Sequence, residues 1–81
     1  MNLLLPQTRA GRVLHAQPVA IHGDRYVDVQ VSLDDDEPGA APRVGRVSAS
    51  ECPADLGAGE RVQIRFVMGV MTKVARESAA S

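Results

Sequence analysis

From Glu60 to Met68 the chain alternates, with Val62, Ile64, Phe66 and Met68 on one side and Arg61, Gln63 and Arg65 on the other. A two-residue period marks a strand with one buried face, here a basic face opposite an apolar one. The turn Gly57-Ala58-Gly59 feeds it, and Gly69 interrupts it before Val70 to Ala75 continue, as one bent strand or as two pieces joined at Gly69. The cleanest period runs through residues 25 to 33, where Val27, Val29, Val31 and Leu33 oppose Tyr26, Asp28, Gln30 and Ser32. Val27, Val29, Val31, Val62, Ile64 and Phe66 are therefore expected to share one core.

A first strand is expected over about Gly11 to Ile21, with Val13, His15 and Gln17 alternating against Arg12, Leu14 and Ala16. Pro18 cannot donate to a ladder, which places the second half at an edge or a bulge. His22-Gly23-Asp24 is a turn signal, so a hairpin links this strand to the next. Asp34 to Glu37 and the prolines 38 and 42 then stop the chain in a loop expected to be solvated, because clustered carboxylates repel one another. A third strand is expected from Arg43 to Ala49. Val44 and Val47 are three apart and cannot share a face of a regular strand, which predicts a bulge at Gly45. Cys52 to Gly59 can form a short helical turn, with Pro53 near its start and Gly57 stopping it.

Four or five strands, two of them bent, with a compact connector before the penultimate one, fit a small barrel. The order resembles an OB fold: a long bent first strand, a hairpin, a variable loop and a compact connector. The expectation is an all-β, five-stranded OB-like barrel, with an SH3-like barrel as the alternative. The domain is expected over residues 9 to 76, between a flexible N-terminal arm, 1 to 8, and a flexible tail, 77 to 81.

Eighty-one residues make one domain with a modest core, and the only aromatic residues are Tyr26 and Phe66. Such a chain has limited means of closing its own core, which predicts a homodimer or another oligomer. The net charge of -1 conceals segregation, with -4 over residues 34 to 37 and +4 over residues 61 to 76. A cationic patch on a nearly neutral protein is compatible with an anionic partner. The longest apolar run, Phe66 to Met71, is too short to cross a bilayer, and the first residues lack the basic region of a signal peptide. The expected location is cytoplasmic, with no membrane partner.

Catalytic parts are poor. Cys52 is the single cysteine, so no internal disulfide is available, and beside Pro53 it reads as a small buried hydrophobe rather than a nucleophile using His15 or His22 as base. The histidines lack zinc-site spacing, the acidic run lacks the spaced ligands and glycine of a calcium loop, and no phosphate-cradling or dinucleotide motif occurs. No enzyme activity, cofactor or metal is expected.

Two functions remain. The first is a module that binds single-stranded DNA or RNA mainly through the phosphate backbone, using Arg61, Gln63 and Arg65, continued across the sheet by Lys73, Arg12, Arg25, Tyr26 and Gln30. Only Tyr26 is free to stack on a base. The second is a non-catalytic protein-interaction or assembly module that self-associates through a strand edge. It rests on Val67, Val70 and Met71, which cannot all enter one small core.

Overall fold

The computed structural model describes residues 5–77. It contains strands β1 (Gln7–Ile21), β2 (Asp24–Leu33), β3 (Arg43–Ser48), β4 (Arg61–Val67) and β5 (Val70–Arg76), with one 3-10 turn, Ala49–Glu51. The strands form a single antiparallel sheet in the order β3-β2-β1-β4-β5.

The alternating segments do what their period dictates, except that Met68, expected on the apolar face, lies in the turn after β4 and is exposed. Val27, Val29, Val31 and Leu33 of β2 meet Val62, Ile64 and Phe66 of β4 on the inner face, joined by Val13, Val47, Leu56, Met71 and Val74. Each such side chain contributes about 1.5–3 kcal/mol when fully buried. The six residues expected to share a core do so.

The sheet is open, which corrects the expectation of an OB-like or SH3-like barrel. Closure needs a hydrogen-bonded ladder between the first and last strands in the order. Here β3 and β5 have no register with each other. They approach through side chains instead: Met71 lies over Gly45, where an added Cβ would sit 2.7 Å from the Met71 Cβ.

That contact also corrects the reading of Gly45. The β2–β3 register is regular, with Val29 opposite Gly45 and Val27 opposite Val47, so no bulge occurs there. Gly45 and Val47 point inward and Val44 points out, 71% exposed. Glycine at this position makes room for Met71.

The irregularities fall elsewhere. In β1 the register shifts between Val13 and His15, leaving Leu14 as the extra residue. This inverts the phase, so Ala16 rather than His15 follows Val13 inward and packs on the core. In β5 the shift falls at Thr72, whose hydroxyl donates to the Arg65 carbonyl at 3.2 Å.

The C-terminal segment is two strands, not one bent strand. Met68 and Gly69 have φ of 53° and 80°, as His22 and Gly23 have 51° and 85° between β1 and β2. Two consecutive positive φ values define the tight turn whose twist matches a hairpin. The 3-10 turn lies before Cys52, not within Cys52 to Gly59. Ser48 caps it by accepting from the Ser50 N–H at 3.4 Å, and Cys52 is extended because a residue preceding proline avoids the helical region.

One boundary differs in detail. β1 starts at Gln7, with Gln7 and Thr8 paired to Phe66 and Arg65, so these two residues of the expected arm belong to the sheet. Most of the expected arm and tail lies outside the described residues.

Candidate functional site

Two features stand out: a strand edge with no partner and a basic sector of the outer face. The edge arises because β1 is longer than either neighbour. It pairs with β4 from Gln7 to Arg12 and with β2 from Gly11 to Ile21, so both sides are paired only over a short overlap. Val13 and Gly59 extend it, with Gly59 N–H donating to the Val13 carbonyl at 2.7 Å and Val13 N–H to the Glu60 carbonyl at 2.9 Å. Beyond the Leu14 bulge, β1 has β2 on one side and no hydrogen-bonding neighbour among the described residues on the other.

Which backbone groups face that open side follows from the turn. Ile21 and Asp24 flank a two-residue hairpin and form a hydrogen-bonded pair, so pairs alternate from there. Val19 and Gln17 bond to β2, whereas Ala20, Pro18 and Ala16 turn their backbone groups outward. Pro18 thus stands where its missing N–H breaks no ladder bond. Residues 14 to 21 contain no Lys, Arg, Asp or Glu, and His15, Gln17, Pro18 and Ala20 are exposed. A shallow apolar cavity of about 530 Å³, lined in part by Pro18, Ala20, Val27 and Ala54, adjoins the edge. The other two edges are better guarded: β3 carries Arg43 and Arg46, and β5 carries Lys73, Arg76 and a bulge.

The basic residues expected to form one surface are divided among three regions. Register pairing sets Arg12 beside Arg61, and Thr8 and Lys73 on either side of Arg65, all on the outer face. Gln63 lies between Ala10 and Ala75 on the same face. Tyr26 and Gln30 share that face but belong to the far wing, beside Ser48 and Val44. Six residues of β2, about 20 Å, separate Tyr26 from Ser32, which pairs with Arg12. Arg25 has the opposite phase and adjoins the apolar cavity.

Most of the positive charge is also neutralised. Arg61 forms a two-pronged ion pair with Asp34 and reaches Glu77 at 3.5 Å. These carboxylates raise the Arg61 pKa beyond its ordinary value, and Arg61 lowers that of Asp34. Arg9 and Arg43 converge on Asp36 at 3.3 and 3.0 Å, and Arg9 also holds Asp35 at 2.7 Å. The acidic run is thus fastened by three arginines rather than simply solvated, and Asp36 is drawn below the usual carboxylate range, chiefly by Arg43. Arg46 grips Asp28 with two bonds of 2.7 and 2.9 Å, and Arg76 holds Glu60 at 2.5 Å and Asp55 at 2.8 Å. Among the described residues, Arg12, Arg25, Arg65 and Lys73 have no carboxylate partner.

Cys52 is half-buried against the core, and desolvation pushes its thiol up while Arg76 pulls weakly the other way. A raised thiol pKa leaves little thiolate at neutral pH. No hydrogen bond joins it to His15, on the outer face, or to His22, in the turn. Among the described residues no group of three His, Cys, Asp or Glu side chains could hold a metal ion, and no helix is long and apolar enough to cross a membrane.

No protein-family model, curated protein or solved structure matches the chain.

Proposed function

We propose that this protein is a non-catalytic assembly module that self-associates through the unpaired edge of β1. The observation that carries this reading is the uncharged run from Leu14 to Ile21, exposed at Leu14, His15, Gln17, Pro18 and Ala20 and paired on one side only. An open edge is a template for another strand, and folded proteins ordinarily protect such an edge with charge or cover it. Here the guards are the Leu14 bulge and Pro18. On either side of Pro18, Ala16 and Ala20 turn their N–H and C=O groups outward, toward a second copy. The adjoining apolar cavity extends the buried area.

Sedimentation tests this directly. At micromolar concentration the protein is expected at more than monomer mass, and the Gln17→Lys/Ala20→Lys variant, with like charges on both faces of the junction, at monomer mass with unchanged circular dichroism. A monomer at several hundred micromolar rules out self-association. An oligomer that survives the double substitution places the contact elsewhere.

A further inference from the structure

The bare stretch of β1 carries no fixed charge, yet a histidine stands at each end of it: His15 just past the Leu14 bulge, and His22 as the first residue of the hairpin turn, with φ of 51°. They are the chain's only histidines, and both are exposed. Charge is an ordinary guard of a strand edge, because a second strand cannot approach without opposing or burying it. Imidazole supplies that charge conditionally, since histidine is the side chain that ordinarily passes from neutral to cationic between about pH 8 and pH 5.

Among the described residues little else near the edge can answer such a charge. His15 is the register partner of Gln30, with Val44 beyond it on β3. The next row holds Asp28, already gripped by Arg46 through bonds of 2.7 and 2.9 Å. On the other side of β1 the neighbouring segment ends at Val13, and the Glu60 carboxylate there is taken by Arg76. Arg12, the nearest charged residue along the strand, is itself cationic and bonds only to the Gly59 carbonyl. Beside His22, Asp24 and Arg25 carry opposite charges and cancel. Whichever way a second β1 runs, overlap of the whole edge sets an imidazole of one copy beside an imidazole of the other at both ends, about 20 Å apart. Like charges opposite one another weaken a sheet.

We propose that His15 and His22 gate the β1 edge: neutral imidazoles leave it open to a second copy at neutral pH, and their protonation in mild acid closes it by repulsion. The gate rests on the assignment of this edge as the assembly contact. The junction favours the uncharged imidazole, so association releases protons and acid reverses it.

Sedimentation of the intact protein at about pH 7.5 and about pH 5.5, near the midpoint of self-association, tests the gate. Association is expected to be about tenfold weaker in acid, and added salt restores part of it, because screening removes the repulsion and not the contact. His15→Gln/His22→Asn cannot take up the charge, and asparagine tolerates the turn conformation at position 22, so this variant associates alike at both pH values. His15→Lys, whose charge is fixed, is weakened already at the higher pH. Circular dichroism is the same at both, and melting at a concentration that is monomeric throughout shows no step, since the gate acts on the junction and not on the fold. Equal association of the parent at both pH values overturns the gate while leaving the edge contact standing, and so does a double variant that keeps the parent's pH dependence. A parent that stays monomeric at the higher pH, even at several hundred micromolar, overturns the edge contact itself and the gate with it.

Discussion

The two ends of β1 belong to one continuous strand yet are protected in opposite ways. From Gln7 to Ala10 the strand pairs with β4, and its other side is occupied by the acidic loop, where Asp34 N–H donates to the Ala10 carbonyl at 3.0 Å and Arg9 holds Asp35 and Asp36. From Ala16 to Ile21 it pairs with β2, and no described residue hydrogen-bonds along its other side. The first end is closed by charge and the second is left bare. A strand edge is therefore a local property, decided by which loop returns to it, and a single strand can be both sealed and available.

This contrast can be challenged first at the core. Ile64 is fully buried and is the register partner of Arg9 in the sealed half, so Ile64→Ala is expected to lower stability by about 2–5 kcal/mol. Val19, half-buried in the bare half, should lose less than about 1 kcal/mol on replacement by alanine. Urea denaturation of both variants measures the difference, and similar losses would show that the bare half is as firmly packed as the sealed one.

Acid sharpens the contrast next. Asp34 and Asp36 have folded-state pKa values lowered by hydrogen bonds from Arg61 and Arg43. A depressed folded pKa stabilises above the unfolded value, about 4, and that stabilisation is lost as pH falls through the folded value. Melting temperature is expected to hold level from pH 8 to pH 5 and to drop below about pH 4. In Asp34→Asn/Asp36→Asn it should start lower at pH 7 and fall less steeply with acid. Because these pairs are exposed, added salt should shrink the difference. An unchanged acid limb in the variant would mean that the loop seals the edge without help from its charges.

The smallest expected effect concerns the turns. Met68 adopts φ of 53° while remaining 64% exposed, so it is strained and has little packing to lose. Met68→Asn, with a side chain that tolerates this region, should raise stability by about 0.5 kcal/mol. A loss instead would reveal a packing role for Met68 at the end of the sealed half.

The inner face was legible wherever the period ran unbroken. Val27 to Leu33 and Val62 to Phe66 announce their burial by alternation alone. Composition could not reveal the frame shift at Leu14, since every residue from Val13 to Ala16 is compatible with a regular strand. Nor could the Gly45 to Met71 contact be seen, because it joins positions at opposite edges of the sheet. The outer-face placement of Arg61, Gln63, Arg65 and Lys73 followed from local phase and a simple hairpin. Their separation from Tyr26 and Arg25 depended on strand order. Charge segregation along the chain suggested a free cationic surface, but the sheet returns the acidic run to Arg9, Arg43 and Arg61. The like-charged pair that escapes this neutralisation, Arg65 and Lys73, is recognisable only once the register of β4 and β5 is known.

The pairing of Gln7 with Phe66 also sets an order of events during synthesis. The chain through Phe66 must emerge from the ribosome before the N-terminal end of β1 meets β4. The β1–β2 hairpin, joined by two residues, can form much earlier, because short-range contacts close sooner than distant ones. The bare edge is therefore on display while the nascent protein still lacks β4 and β5. If that edge is the assembly contact proposed above, copies made side by side on one messenger would meet through it before either had completed its core.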